Sequence, residues 1–404
     1  MKESVLKYHS YPVPGKLFTG LSKPIFSKAD LALAYTPGVA CVSKLIAKNE
    51  KYIYSYTGKG NLVAVITNGS AVLGLGNIGA AAAKPVMEGK SALFRRFAFV
   101  DSYDIEISES DPQKLIAIII ALGKTFGGIN LEDIKSPECF YIEEQCSRSL
   151  DIPVFHDDQH GTAVVVTAAL INAVYLVNKS LSKLKVVVVG AGAAAIACLN
   201  LLVRFGLNKC NVFVYDIKGP LVATRTDLDC YRSPYMQSSC VPLSTALYMC
   251  DFFLGLSSGN ILQADWVALM APNPIIFALA NPIPEIFPKV IKSVRTDAIV
   301  ATGRSDFPNQ VNNLLCFPYI FRAALDARVL NITTAIKIAA VKAIAYLGFT
   351  SSHFTFENIL PGIFDKRLLV YIAGYIMKVI IFKKLNRVPI NFKRYLTYLC
   401  LLNV

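Results

Sequence analysis

Apolar positions along this chain gather into short continuous runs, with little strict alternation. Residues 62–67 read as a buried strand, 97–100 as another and 112–126 as a helix. Further on the rhythm becomes regular. Runs at 185–189, 211–215, 252–255, 275–279 and 298–301 read as short buried strands, separated by helical patterns or loops. Such alternation predicts a doubly wound parallel sheet. From about residue 318 the pattern is helical, and this part is expected to pack back onto both preceding parts. Residues 1–60 predict a loop-rich helical start, with a helix over 28–34 followed by the turn Tyr35-Thr36-Pro37-Gly38. The run 368–382 is the only membrane-like one by this reading; it is short for a bilayer and is interrupted by Lys378, so a buried or interface helix is expected. The fold class is therefore α/β: an N-terminal α/β domain over 1–160, then a Rossmann-like doubly wound domain with C-terminal helices over 161–404.

A length of 404 residues suits two domains, each with its own core. The net charge of +13 suits anionic partners. The basic residues are scattered, without a zinc-finger or RNA-binding signature, so neither a nucleic-acid nor a membrane partner is expected. The 10 cysteines form no C-x-x-C pair, and no secretory signal pattern opens the chain. Reduced thiols in the cytoplasm are the expectation.

Two glycine turns compete for a dinucleotide. Gly74-Leu75-Gly76-Asn77-Ile78-Gly79 is a literal G-x-G-x-x-G. Gly190-Ala191-Gly192-Ala193-Ala194-Ala195 is the G-x-G-x-x-A form, placed directly between a valine-rich strand and a helix. The second has the better context, because its glycines let backbone approach a pyrophosphate at a helix N-terminus. Pro85 is expected to break any helix that follows the first turn. That turn is read as lying beside the active site, at the nicotinamide end. Asp216, closing the next strand, can bind a ribose hydroxyl and so favours NAD; Lys218 and Arg225 could neutralise the 2′-phosphate of NADP.

Carboxylates carry the remaining chemistry. Glu132-Asp133 follow a glycine pair, and Asp157-Asp158 lie between an extended run and a long helix. Acids converging from separate loops suit Mg²⁺ or Mn²⁺, with Glu132, Asp133 and Asp158 as ligands and Asp157 in reserve. The competing reading is helix capping, by the first pair for a helix near Ile134 and by Asp157 for the next. His156 and His160 have zinc-protease spacing but lack the glutamate and a third ligand, so packing roles are expected. Tyr35 is either a cleft phenol or a core tyrosine. Lys84 and Lys90 are alternative bases, or solvated lysines. Asn281 and the pair Asn312-Asn313 can bind amide or carboxylate groups at strand ends.

These segments, in order over about residues 10–345, resemble the malic enzyme family, and within it the bacterial NADP-dependent type. The matching stretches are 35–40, 72–90, 126–139, 154–162, 190–197, 278–286 and 301–322. The resemblance implies that Tyr35 is the general acid that protonates enolpyruvate and Lys90 the base for the malate hydroxyl. It implies Glu132, Asp133 and Asp158 as Mg²⁺ or Mn²⁺ ligands, and Asn281 and Asn313 beside substrate and nicotinamide. It further implies oxidation of L-malate to pyruvate and CO₂ with NADP or NAD, oxaloacetate decarboxylation, and a homodimer or larger assembly. A phosphate-acetyltransferase-like region, frequent in bacterial relatives, is not expected here. Two other functions are weighed beside this one: a metal-dependent dehydrogenase of another 2-hydroxy acid, and a decayed homologue that acts as a scaffold.

Overall fold

The computed structural model describes residues 2–72 and 74–402. Two sheets organise them. The first contains β1 (Leu62–Thr67), β2 (Asp101–Glu106), β3 (Gly128–Leu131) and β4 (Val154–His156), all parallel, in the order β2-β1-β3-β4. β1 and β3 are central and covered on both faces, which is why they read as unbroken apolar runs.

The strand expected at 97–100 is not there. Phe97 and Ala98 end the helix Gly79–Ala98, and Phe99 caps it with a left-handed backbone (φ 55°). The strand is the next segment, Asp101–Glu106. It lies on the sheet edge, partly open to solvent, and so carries polar residues that conceal it from a hydrophobicity reading. Nor does Pro85 end a helix, since Gly79–Ala98 continues through it. Proline removes one backbone bond there. The buried face formed by Ala83, Met87, Phe94 and Ala98 holds the helix together across that gap.

The second sheet contains β5 (Val186–Val189), β6 (Val212–Asp216), β7 (Gly219–Pro220), β8 (Phe252–Gly255), β9 (Ile275–Ala278) and β10 (Ile299–Thr302). Its order is β10-β9-β8-β5-β6-β7, parallel except for the two-residue β7. All five expected strands are present to within a residue or two at their ends. Strand order reverses between β8 and β5, which opens a crevice at their carboxyl ends.

The helix Asp157–Leu176 runs from β4 towards the second sheet and is buried along most of its length. C-terminal helices return to the first sheet. Phe317 and Phe321 pack on Phe94 at 4.8 and 5.2 Å between ring centroids. Asn172 Nδ2 donates to the carbonyls of Ala345 (2.9 Å) and Ile359 (2.7 Å). The 368–382 run is packed as expected, with Ile372, Ile376, Met377 and Ile380 buried.

Among the described residues two stretches have the length and apolarity of a membrane span, and 368–382 is not one of them. One is the core helix Asp157–Leu176 and the other is Lys28–Lys48. The latter is bent into two helices, Lys28–Ala34 and Val39–Lys48, by the turn at Tyr35–Gly38. Gly38 is required in that turn, because a Cβ there would lie 2.6 Å from the Ala32 carbonyl oxygen. Neither helix buries a residue.

Candidate active site

Register brings the two acidic pairs together. Leu131 of β3 pairs with His156 of β4, so the residues that leave the two strands are side by side. Asp133 N–H donates to Asp158 Oδ2 at 2.7 Å. Glu132 N–H donates to the Ile66 carbonyl of β1 at 2.9 Å. The capping alternative fails for both pairs. The helix after Glu132-Asp133 starts only at Glu138, and the helix Asp157–Leu176 has His156 at its N-cap with no side-chain cap.

Lys90 reaches this cluster from the helix Gly79–Ala98. Its Nζ donates to Glu132 Oε1 at 2.9 Å and to Asp157 Oδ2 in a shorter contact. The same Asp157 oxygen accepts from Asn313 Nδ2 at 2.6 Å. The Phe317 ring centroid lies 4.0 Å from Lys90 Nζ. Lys90 is 8% exposed and Asp157 fully buried. Burial alone would depress the Lys90 ammonium, but Asp157 and Glu132 together hold it well above its ordinary range. Burial pushes the Glu132 and Asp157 carboxyls up to about 7, against the pull of Lys90. Asp158 is also raised by burial, to about 6. Negative charge is thus in excess, with one lysine serving several acids.

Asp157, held in reserve by the sequence reading, is the acid that Lys90 and Asn313 share. No sequence signal separates it from Asp158. Its Oδ1 is buried and accepts no hydrogen bond. Gly161, one turn on, leaves it room, since a Cβ there would stand 1.9 Å from Asp157 Oδ1. Gly161→Ala is therefore expected to displace the carboxylate and slow turnover by about 10²-fold while the chain still folds, a result read by comparing kcat with the melting temperature.

Lys84 is excluded from the cluster. It is half-exposed and pairs with Asp104 (2.7 Å) and Glu106 (3.3 Å) on the edge strand. His156 is fully buried, and burial lowers it to about 4, a neutral packing residue. His160 Nε2 lies 2.9 Å from Glu143 Oε2. Tyr35 stands apart. The residue is 68% exposed, and its hydroxyl makes no protein hydrogen bond among the described residues.

At the second glycine turn, Gly190 has φ 110°, and a Cβ there would strike the Leu256 carbonyl oxygen at 2.3 Å. Around Gly192 such an atom would meet nothing within 4 Å. Ala193, Ala194 and Ala195 form the first turn of the helix Ala193–Arg204. A cavity of about 860 Å³ opens here, lined by Gly190, Gly192, Asp216, Lys218 and Ser257 among others. Asp216 is clamped by Arg225 through two bonds of 2.8 Å. Lys218 Nζ pairs with Asp227 at 2.8 Å. The first turn is elsewhere. Gly74, Gly76 and Gly79 all have positive φ, and a Cβ on Gly74 would lie 2.6 Å from the Asn281 carbonyl oxygen. Asn281 Nδ2 donates to the Leu279 carbonyl at 3.3 Å. The loop 74–79 therefore abuts the end of β9.

Sequence comparison gives this arrangement its context. The profile of the malic enzyme N-terminal domain matches residues 15–116, and that of the malic enzyme NAD binding domain matches residues 159–380. The chain belongs to the malic enzyme family. It is 51% identical to the NADP-dependent malic enzyme of Escherichia coli over 94% of its own length and 52% of that protein. It is 48% identical to the NAD-dependent malic enzyme of Rhizobium meliloti, over 93% of this chain and 51% of that one. This malic enzyme chain thus spans about half the length of those curated relatives. Among solved structures, the malic enzyme of Pyrococcus horikoshii superposes with a TM-score of 0.92 at 41% identity, covering 100% of this chain and 95% of the other. The Entamoeba histolytica malic enzyme gives 0.91 at 32% identity, covering 98% and 84%.

The donor chemistry suits a hard cation: carboxylate oxygens from two adjacent strand ends, with excess negative charge and one buried oxygen that accepts no bond. As the chain stands, Lys90 lies between Glu132 and Asp157. As the side chains stand, no three His, Cys, Asp or Glu among the described residues are gathered closely enough to hold an ion, so the fit is one of donor type and charge and not of a formed ligand set.

Proposed function

We propose that this chain oxidatively decarboxylates L-malate to pyruvate and CO₂ with NADP as acceptor, NAD being the alternative, and that it also decarboxylates oxaloacetate. The Lys90–Asp157–Asn313 network carries the reading: a buried lysine whose nitrogen is fixed by two carboxylates and whose carboxylate partner is fixed by an asparagine. A scaffold has no physical need for such an arrangement. Glu132, Asp133 and Asp158 would hold Mg²⁺ or Mn²⁺. When bound, the cation would supply Lewis-acid stabilisation of charge on the C2 oxygen of malate, and the nicotinamide a hydride acceptor. Lys90 Nζ, held as an ammonium, first passes a proton to Asp157, whose carboxyl burial raises to about 7. The neutral amine so formed then receives the proton of the C2 hydroxyl, while Asn313 holds the Asp157 carboxyl in place. Tyr35 then returns a proton to C3. Gly190, Gly192 and the helix start at Ala193–Ala195 would take the pyrophosphate. Asn281 and the loop 74–79 would border the nicotinamide end. Residues 1–160 and 161–404 would serve as substrate-and-metal and dinucleotide units respectively.

Preference for NADP is supported by the Asp216 clamp. A carboxylate doubly bonded to Arg225 is a poor acceptor for a ribose hydroxyl. Arg225, Lys218 and Arg232 gather there against Asp216, Asp227 and Asp229, so the cluster is balanced and Asp216 has no charge to spare. Arg225→Ala should weaken NADP by roughly ten- to a hundred-fold and free Asp216 for NAD, shifting the ratio of kcat/KM values for the two cofactors.

The working unit we infer is a pair of chains. Tyr35 is needed beside Lys90, yet it sits on helices that bury nothing of their own chain. In the same N-terminal segment Phe18, Leu21, Phe26 and Leu33 stand open to solvent, at 78–93% exposure. An apolar surface of this extent calls for a partner, and a second copy that donates its own Tyr35 supplies both the cover and the missing acid. The turn at Tyr35–Gly38 and the need for Tyr35 favour this occupant over a lipid surface. The cytoplasm is supported by the state of the cysteines, all of which are free thiols. Turnover of malate with pyruvate as product tests the reaction, and a panel of 2-hydroxy acids tests its substrate.

A further inference from the structure

A separate cavity of about 1100 Å³ lies between the helices Glu138–Ser149 and Ala193–Arg204 and the start of Thr334–Phe349. None of Lys90, Glu132, Asp133, Asp157 and Asp158 lines it. Its size is that of a small-molecule site. Besides Arg148, which is paired with Glu144, three cations face it: Lys337 from within, Arg204 and Lys209 from exposed positions. None of the three donates a side-chain hydrogen bond or forms a salt bridge among the described residues, although Lys209 Nζ lies 5.3 Å from the Tyr235 ring centroid. Burial drives Lys337 below its ordinary range, against the pull of Glu143. The acids on the walls are largely engaged already. Glu144 pairs with Arg148 at 2.6 Å. Glu143 Oε1 accepts from His156 N–H at 2.9 Å, while its Oε2 meets His160 at 2.9 Å and accepts from Gln159 at 3.3 Å. Asp151 is the one further acid on the lining. A half-buried ammonium that lacks a bonded anion, in a roomy polar cavity whose walls hold further unmatched cations, is the chemistry of an anion site.

We propose that this cavity binds a small anion, a carboxylate or phosphate group held by Lys337 with Arg204 and Lys209 at the entrance, and that its occupancy is felt at the active site through Glu143. Glu143 is the link because it holds the backbone of His156, the residue immediately before Asp157, and it is also the acid whose field Lys337 feels. An anion on Lys337 screens that field and alters the hold of Glu143 on the segment 156–160. The effect on turnover rests on the malic enzyme reading; the binding itself does not.

Calorimetric titration of the full chain, in metal-free buffer, with inorganic phosphate and separately with succinate tests the proposal and tells the two anion classes apart. At least one of them should bind, about ten-fold or more weaker to Lys337→Met and several-fold weaker to Arg204→Ala, with melting temperatures unchanged. If Lys337→Met fails to fold, the exposed Arg204→Ala carries the comparison. With the bound anion saturating, the KM for malate should shift in the unmodified chain and not in Lys337→Met. Heat from neither anion, or binding that both variants leave intact, overturns the site. Lys337-dependent binding in a chain that does not turn over malate would leave the site standing and count against the reaction alone.

Discussion

Lys90→Met should lose malate turnover by about 10²- to 10⁴-fold, the range for removal of a general base. Methionine keeps the length of the stem and its packing on Phe317, so the cavity left behind is small. What disappears is the ammonium between Glu132 and Asp157. Those carboxyls are already raised to about 7 by burial, and each can take up a proton once the lysine has gone. The fold is therefore expected to persist, and NADP binding with it, because the Gly190–Ala195 turn makes no contact with Lys90 in the hydrogen-bond pattern described. Steady-state kinetics beside a fluorescence titration of NADPH separate the two effects. Turnover within a few-fold of the unmodified chain would reduce Lys90 to a structural ion pair.

Tyr35→Phe alone should be nearly inactive, and Lys90→Met alone likewise, yet the two chains co-expressed should recover activity. If each site takes its tyrosine from one chain and its lysine from the other, a mixed dimer holds one intact site and one doubly defective site. Random pairing then restores about a quarter of the sites of the unmodified protein. If tyrosine and lysine come from the same chain, no pairing restores any. The prediction follows from where Tyr35 sits, 68% exposed on helices without a buried residue. Size measurement of Tyr35→Phe should show an unaltered assembly, since the hydroxyl and not the apolar surface has been removed.

The second sheet was legible because both of its faces are covered, so its strands are unbroken apolar runs such as Val186–Val189 and Phe252–Gly255. The edge strand Asp101–Glu106 was not legible, because solvent on one side allows DSYDIE where a core strand would need apolar residues. Pro85 misled for a related reason. A proline rule describes an isolated helix, whereas the helix Gly79–Ala98 is held by its buried face. At the site, the residue types pointed to carboxylate chemistry, but the partnership within it is a matter of register. Adjacent acids at 157 and 158 look alike in sequence, and only the pairing of Leu131 with His156 decides that Asp157 meets Lys90 while Asp158 meets the Asp133 backbone. Which of Lys84 and Lys90 meets the acid cluster likewise depends on which turn of one helix faces it. Tyr35 is the limiting case, since its partner is not in its own chain on this account.

The measurement closest to the central claim is nicotinamide reduction with L-malate and Mn²⁺, with NADP and NAD compared, for the unmodified chain and for Asp158→Asn. Metal-dependent absorbance with pyruvate as product, stronger with NADP and abolished in Asp158→Asn, is the result expected. Folded protein that turns over malate with neither cofactor, or an Asp158→Asn chain as active as the unmodified one, would contradict it.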